Sequence, residues 1–163
     1  MNFESRINFD APGGRCDITP VFADPAAFED LLGRYEKSMA GQAFDLIAGL
    51  DALGFVLASA MAVRLGKGLL LLRKGGKLPV PVRQVKFTDY SKIEKSFEIA
   101  SGSVPAGARV MIVEDWVETG SQLRAAIGLI EAEGGVVVGV CAIKIEKSAD
   151  ELGLSGRFCC SLL

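Results

Sequence analysis

Arg109 to Leu123 reads RVMIVEDWVETGSQL, and this stretch decides the fold. Val110 to Val113 is a short apolar run of the kind that forms a buried parallel strand. Glu114 and Asp115 close the run with two adjacent carboxylates, and Thr119, Gly120 and Ser121 follow as a small polar loop. Beyond the loop, Leu123, Ala126, Ile127 and Ile130 recur at helical spacing. A helix N-terminus offers unpaired backbone N–H groups and the positive end of a dipole, which suits a phosphate. Gly120 lets the backbone approach closely, and the hydroxyls of Thr119 and Ser121 add donors. Carboxylates just upstream can hold sugar hydroxyls. The layout reads as a site for a phosphorylated sugar.

Working outward, the same alternation of strand and helix recurs. Asp24-Pro25 starts a helix, because Asp caps well and Pro fits the first turn. Phe28, Leu31, Leu32, Tyr35 and Met39 continue it. Phe44 to Leu50 is expected as a strand ending near Asp51, and Phe55 to Leu65 as a helix stopped by Gly66. Leu69 to Leu72 reads as a second buried strand before a basic loop with Arg73, Lys74 and Lys77. Residues 80 to 95 are polar and weakly periodic, as a mobile loop would be. Phe97 to Ala100 reads as a short strand, and Arg109 to Asp115 as a core strand followed by a helix to about Glu133. Gly134-Gly135 ends that helix; Val136 to Ile145 and Arg157 to Leu162 supply the last strands. The fold class is α/β, with a mostly parallel sheet covered by helices on both faces. Ligands bind such sheets at the carboxyl ends of strands, where Asp51, Arg73 and Asp115 all fall.

Composition bounds the rest. At 163 residues, residues 1–163 are expected to form a single domain with a sizeable core. A hydrophobic fraction of 50% places the chain among folded globular proteins. A net charge of −2 argues against a nucleic-acid partner. The N-terminus lacks the apolar core of a signal peptide. The longest uncharged stretch of the early chain, between Asp51 and Arg64, is too short for a bilayer, which takes about 20 residues. A cytoplasmic protein with no membrane partner is expected. Cys16, Cys141, Cys159 and Cys160 show no CxxC spacing and read as small apolar core residues. The chain contains no histidine, so proton transfer must rely on carboxylates, Lys, Tyr or substrate groups.

The stretch from Glu114 to Gln122 resembles the ligand motif of the type I phosphoribosyltransferases, in which an acidic pair and a Thr-Gly turn bind 5-phosphoribosyl-1-pyrophosphate. Asp17 to Leu32, Ile47 to Phe55 and Leu71 to Pro79 are similar to segments of the adenine-type members, in the same order. The resemblance implies a type I phosphoribosyltransferase fold with a small hood near the N-terminus. It implies transfer of phosphoribosyl from its pyrophosphate to a purine base, Mg²⁺ as cofactor and a homodimer. It places Glu114 and Asp115 at the ribose hydroxyls, directly or through Mg²⁺, and Thr119, Gly120, Ser121 and Gln122 at the 5-phosphate. It places Asp51, Ala52 and Leu53, with Arg73, Lys74 and Lys77, at the pyrophosphate.

Several positions depart from the adenine-type pattern. Glu118 stands where that pattern has Ala, and is similar to the acidic residue that 6-oxopurine enzymes carry near the base. Glu118 is therefore a candidate proton acceptor or donor, with Asp115 the second candidate catalytic carboxylate. Ala52-Leu53 replaces the usual Ser-Arg, and Arg15-Cys16 the usual Phe-Arg by the base. No Glu-Tyr-Gly follows Tyr90-Ser91, though Glu94 can substitute for it. Trp116 can line the ligand or fill the core. Overall resemblance favours adenine, while Glu118 points to a 6-oxopurine. The departures leave open a second reading, a regulatory protein that binds the sugar pyrophosphate with little or no turnover.

Overall fold

The computed structural model describes residues 2–12, 16–88 and 92–163, and these fall into two compact units, Met1–Ala40 and Gly41–Leu163. In the first, α1 (Thr19–Ala23) and α2 (Pro25–Met39) pack against each other and against a 3₁₀ turn at Phe3–Arg6. Asp24 caps α2 as its sequence promised: one carboxylate oxygen accepts from Ala26 N at 3.0 Å and Ala27 N at 3.2 Å, with Pro25 at the first helical position. Phe3, Val21, Leu31 and Tyr35 are fully buried.

The second unit is an α/β layer structure. Its strands are β1 (Leu46–Leu50), β2 (Gly68–Lys74), β3 (Val82–Thr88), β4 (Glu94–Ala100), β5 (Arg109–Val117), β6 (Val136–Ile145) and β7 (Phe158–Ser161). They form one sheet in the order β3-β4-β2-β1-β5-β6-β7. The pairs β2–β1, β1–β5, β5–β6 and β6–β7 are parallel, whereas β4 pairs antiparallel with both β2 and β3. Helices α3 (Leu53–Leu65) and α4 (Ser121–Ala132) make the β-to-β crossovers around the centre.

Alternation along the strands separates two packing layers. Ala48, Leu50, Val110 and Ile112 join a buried cluster with Leu123, Ala126 and Ile130 of α4. The intervening Gly49 faces α3 so closely that a Cβ there would lie 2.5 Å from Gly54 O and 2.7 Å from Ala58 Cβ. Gly66 ends α3 in the left-handed conformation at φ 61°, the expected C-terminal stop.

Three expectations need correction. Residues 82–88 are not a mobile loop but β3, paired residue for residue with β4. Val85 and Phe87 pack on the core while Gln84 and Lys86 face outward, so a short strand with one wet face looked polar overall. β2 is not buried throughout: Leu70 and Leu72 are buried, but Leu69 and Leu71 are exposed, and Arg73 and Lys74 belong to the strand rather than to a loop. Among the cysteines, only Cys141 is buried; the others are half-buried. No helix among the described residues is long and apolar enough to cross a membrane.

Candidate ligand site at the strand ends

β1, β2 and β5 are adjacent and parallel, so their carboxyl ends bring Asp51, Arg73–Lys74 and Glu114–Asp115 to one edge of the sheet. β5 runs on to Val117, so the acidic pair lies inside the strand rather than at its end. Glu114 is buried, and its Oε1 accepts from the Asp115 backbone N–H at 3.0 Å. Its carboxylate fills the space beside Gly54, where a Cβ would come 2.7 Å from Oε2. Gly54 thus serves two contacts at once, with Gly49 below and Glu114 above. Burial, then the neighbouring Asp115 carboxylate, pushes the Glu114 carboxyl well above the ordinary carboxylate range. Asp115 itself is half-buried.

After Val117 the chain turns through Glu118, Thr119 and Gly120 into α4. Gly120 has φ 74°, and no side chain caps the helix. The turn is loosely tied: Thr119 Oγ1 meets Ser121 Oγ at 3.1 Å and accepts from Ser121 N at 3.4 Å. Arg124 reaches back to Thr119 O at 3.4 Å and to Glu151 O at 3.2 Å. Leu152 sits over Gly120, where a Cβ would lie 2.1 Å from Leu152 Cδ2. Ser121 and Gln122 are half-buried and Thr119 is exposed, so the hydroxyls and first-turn N–H groups stand together at the helix start. Glu118 is half-buried in the same turn.

The basic segment is assembled differently. Asp51 lies one residue beyond β1 and meets Lys74 twice, through the Lys74 backbone N at 3.4 Å and Nζ at 3.6 Å. The Asp51–Ala52 peptide is cis, and Leu53 opens α3 directly after it. The Arg73 guanidinium donates to Lys77 O at 3.2 Å. From the far side, the buried Glu98 of β4 accepts from three consecutive N–H groups, Gly76 at 2.7 Å, Lys77 at 2.6 Å and Leu78 at 2.7 Å. Gly75 packs against Ser96 and Gln84, leaving no room for a Cβ. Lys74 and Lys77 remain exposed.

Sequence reasoning missed Glu98 and Glu146. Glu98 interrupts the apolar run Phe97-Glu98-Ile99, and a lone carboxylate between core residues was the available signal. Glu146, just past β6, accepts from the Trp116 indole at 2.8 Å, so the half-buried Trp116 is neither core nor loose. Glu94 opens β4 and pairs with Lys86 at 2.8 Å. Arg15, Tyr90 and Ser91, singled out from the sequence, lie outside the described residues.

Comparison with known proteins bears on this arrangement. The pattern of the family described as "Phosphoribosyl transferase domain" matches residues 23–152. The chain is 40% identical over 127 residues to an adenine phosphoribosyltransferase of Thermobifida fusca, covering 78% of this chain and 72% of that protein. It is 34% identical over 149 residues to the adenine phosphoribosyltransferase of Nitrosopumilus maritimus, covering 90% and 86% respectively. Its fold superposes on a crystal structure of adenine phosphoribosyltransferase from Thermoanaerobacter pseudethanolicus with a TM-score of 0.88, at 32% identity over 98% of this chain and 96% of that one. The corresponding figures for the Saccharomyces cerevisiae protein, solved with adenine and an imino-altritol bisphosphate, are 0.82, 25%, 99% and 96%.

Proposed function

The chain belongs to the type I phosphoribosyltransferases, and from that premise we propose that it is a purine-salvage enzyme, joining a phosphoribosyl group to a purine, adenine in the first instance. The observation that carries this reading is the unbroken run from Glu114 to Gln122, an acidic pair near the end of β5 leading through a left-handed Gly120 into an uncapped helix. Residues 1–163 act together as one functional domain in this reading.

The 5-phosphate docks on the N–H groups and hydroxyls of Thr119, Gly120, Ser121 and Gln122. Asp115 faces the ribose hydroxyls, while Glu114 supports it from below and spaces β5 from the Ala52–Gly54 segment. The pyrophosphate lies between the backbone of Asp51, Ala52 and Leu53 and the cations of Lys74 and Lys77, with Arg73 fixing the Lys77 backbone. The base ring nitrogen bonds to the anomeric carbon as the bond to pyrophosphate oxygen breaks, and the ring proton leaves to Glu118 or to water. Charge develops on the leaving pyrophosphate, so positioned cations lower the barrier.

Among the described residues no group of three or more His, Cys, Asp or Glu is placed to hold a metal by itself. A single carboxylate such as Asp115 fits Mg²⁺, which takes one or two carboxylates and completes its shell with phosphates and water. Asp115 would hold it, directly or through water. When bound, Mg²⁺ neutralises the leaving group.

The partner is a second copy of the chain. Val56 and Val63 of α3 and Leu69 and Leu71 of β2 expose apolar side chains on neighbouring elements. Light scattering giving twice the chain mass supports this, and the mass of one chain refutes it. The setting is cytoplasmic.

The functional test is pyrophosphate release from phosphoribosyl pyrophosphate and Mg²⁺ with adenine, hypoxanthine or guanine offered singly. Release with adenine is the expected result. Release only with hypoxanthine or guanine moves the specificity to Glu118. Binding of the sugar pyrophosphate without release under any base favours the regulatory reading, which Leu53, a residue without charge at the start of α3, would then explain.

A further inference from the structure

We propose that Glu98 is a positioning residue for the reaction, clamping the 76–78 backbone so that Lys74 and Lys77 present their charges at the pyrophosphate. The inference rests on the functional reading above. It starts from an unusual geometry: three successive backbone N–H groups converge on one buried carboxylate at 2.6 to 2.7 Å. A turn whose N–H groups point inward is an anion nest. Here the anion is supplied by the protein's own β4.

The clamp closes from two sides. Antiparallel register sets Glu98 opposite Arg73. Arg73 donates to Lys77 O, and Glu98 accepts from Lys77 N, so both polar groups of the Lys77 backbone are fixed. Gly75 N donates to Ser96 O at 3.0 Å, anchoring the turn's start to the same strand. With its backbone held, Lys77 has only side-chain freedom left, and Lys74 is steered toward Asp51. Burial alone would raise the Glu98 carboxyl, but the three N–H bonds and the Arg73 charge outweigh it and hold it below the ordinary range. The nest therefore favours the charged form of the clamp. Glu98 itself is buried beneath the turn and so acts through the lysines rather than on the ligand.

Glu98→Gln tests this in the full chain. The substitution keeps the volume but turns an NH₂ group toward backbone donors, breaking at least one side of the nest. Calorimetry then compares two ligands that use different ends of the site, inorganic pyrophosphate with Mg²⁺ and adenosine monophosphate. The expected result is affinity for pyrophosphate about tenfold weaker, with adenosine monophosphate affinity within about twofold of wild type. In turnover the same split appears as a raised KM for phosphoribosyl pyrophosphate with the KM for base unchanged. Equal affinities in variant and wild type for both ligands would overturn the proposal. So would parallel loss of both ligands, because a general packing role predicts that and a local clamp does not. A Glu98→Asp variant, which keeps the charge on a shorter arm, should recover part of the pyrophosphate affinity, and no recovery also counts against the clamp. If wild type binds neither ligand, the functional reading fails, independently of Glu98.

Discussion

The turns at 118–122 and at 75–78 are the same device in two states of completion. Each gathers backbone N–H groups at a glycine with positive φ, Gly120 at 74° and Gly76 at 80°. At 76–78 a carboxylate of the protein already occupies the nest, bound by three short hydrogen bonds. At 119–122 no side chain caps the helix, and the local bonds are 3.1 to 3.4 Å long. The 76–78 turn is held by the fold itself; the 119–122 turn, in the function proposed above, is completed by a ligand. A phosphate site keeps its donors unspent, whereas a loop that must carry cations to a ligand spends its donors on being held still.

The largest way to break this comparison is Gly120→Ala. The new Cβ would adopt a disfavoured backbone region and meet Leu152, displacing the turn. Because a misplacement of about 1 Å can cost roughly 100-fold, kcat/KM for phosphoribosyl pyrophosphate should fall by about that factor. A loss below threefold would mean that the 5-phosphate does not depend on this turn.

Hydrogen exchange sharpens the contrast without mutation. Amides of Gly76, Lys77 and Leu78 should be protected in the free protein, and those of Ser121 and Gln122 should become protected only with adenosine monophosphate bound. Equal protection of both turns in the free protein would erase the distinction.

The smallest expected effect concerns Glu114. Its carboxyl is raised in the folded chain, so the native state holds a proton that the unfolded chain has released. Stability therefore falls as pH rises from the ordinary Glu value, about 4.3, through the raised native value. Glu114→Gln removes this dependence. Between pH 5 and 8 the Tm of wild type should drop more than that of the variant, by a few degrees; parallel curves would refute the assignment.

How much of this was visible in the sequence follows from the same contrast. The 114–122 candidate site is contiguous, so strand, turn and helix could be read from neighbouring residues, and the core strands themselves followed from their apolar runs. The clamp at 75–78 joins Arg73, Lys77 and Glu98 through the register of β2 against β4, and no local pattern encodes a register. For the same reason β3 was hidden. Its alternation of Val85 and Phe87 with Gln84 and Lys86 is only a few residues long, and its stability comes from the partner strand. Glu114 carried a further lesson. As an acidic residue beside Asp115 it looked accessible, but Gly54, sixty positions earlier in the sequence, makes room for it inside.

The sheet order has one more consequence, for behaviour in concentrated solution. A sheet with open margins offers unpaired backbone groups to any passing strand, the first step toward fibrous aggregates. Here one margin is β3, whose exposed positions include Arg83 and Lys86, and the other is the four-residue β7. Arg83 and Lys86 are ion-paired with Glu133 and Glu94, so a newcomer meets charged groups along β3, and a strand as short as β7 gives it little to hold. Both margins are thus poorly suited to edge-to-edge polymerisation, independently of the proposed ligand site.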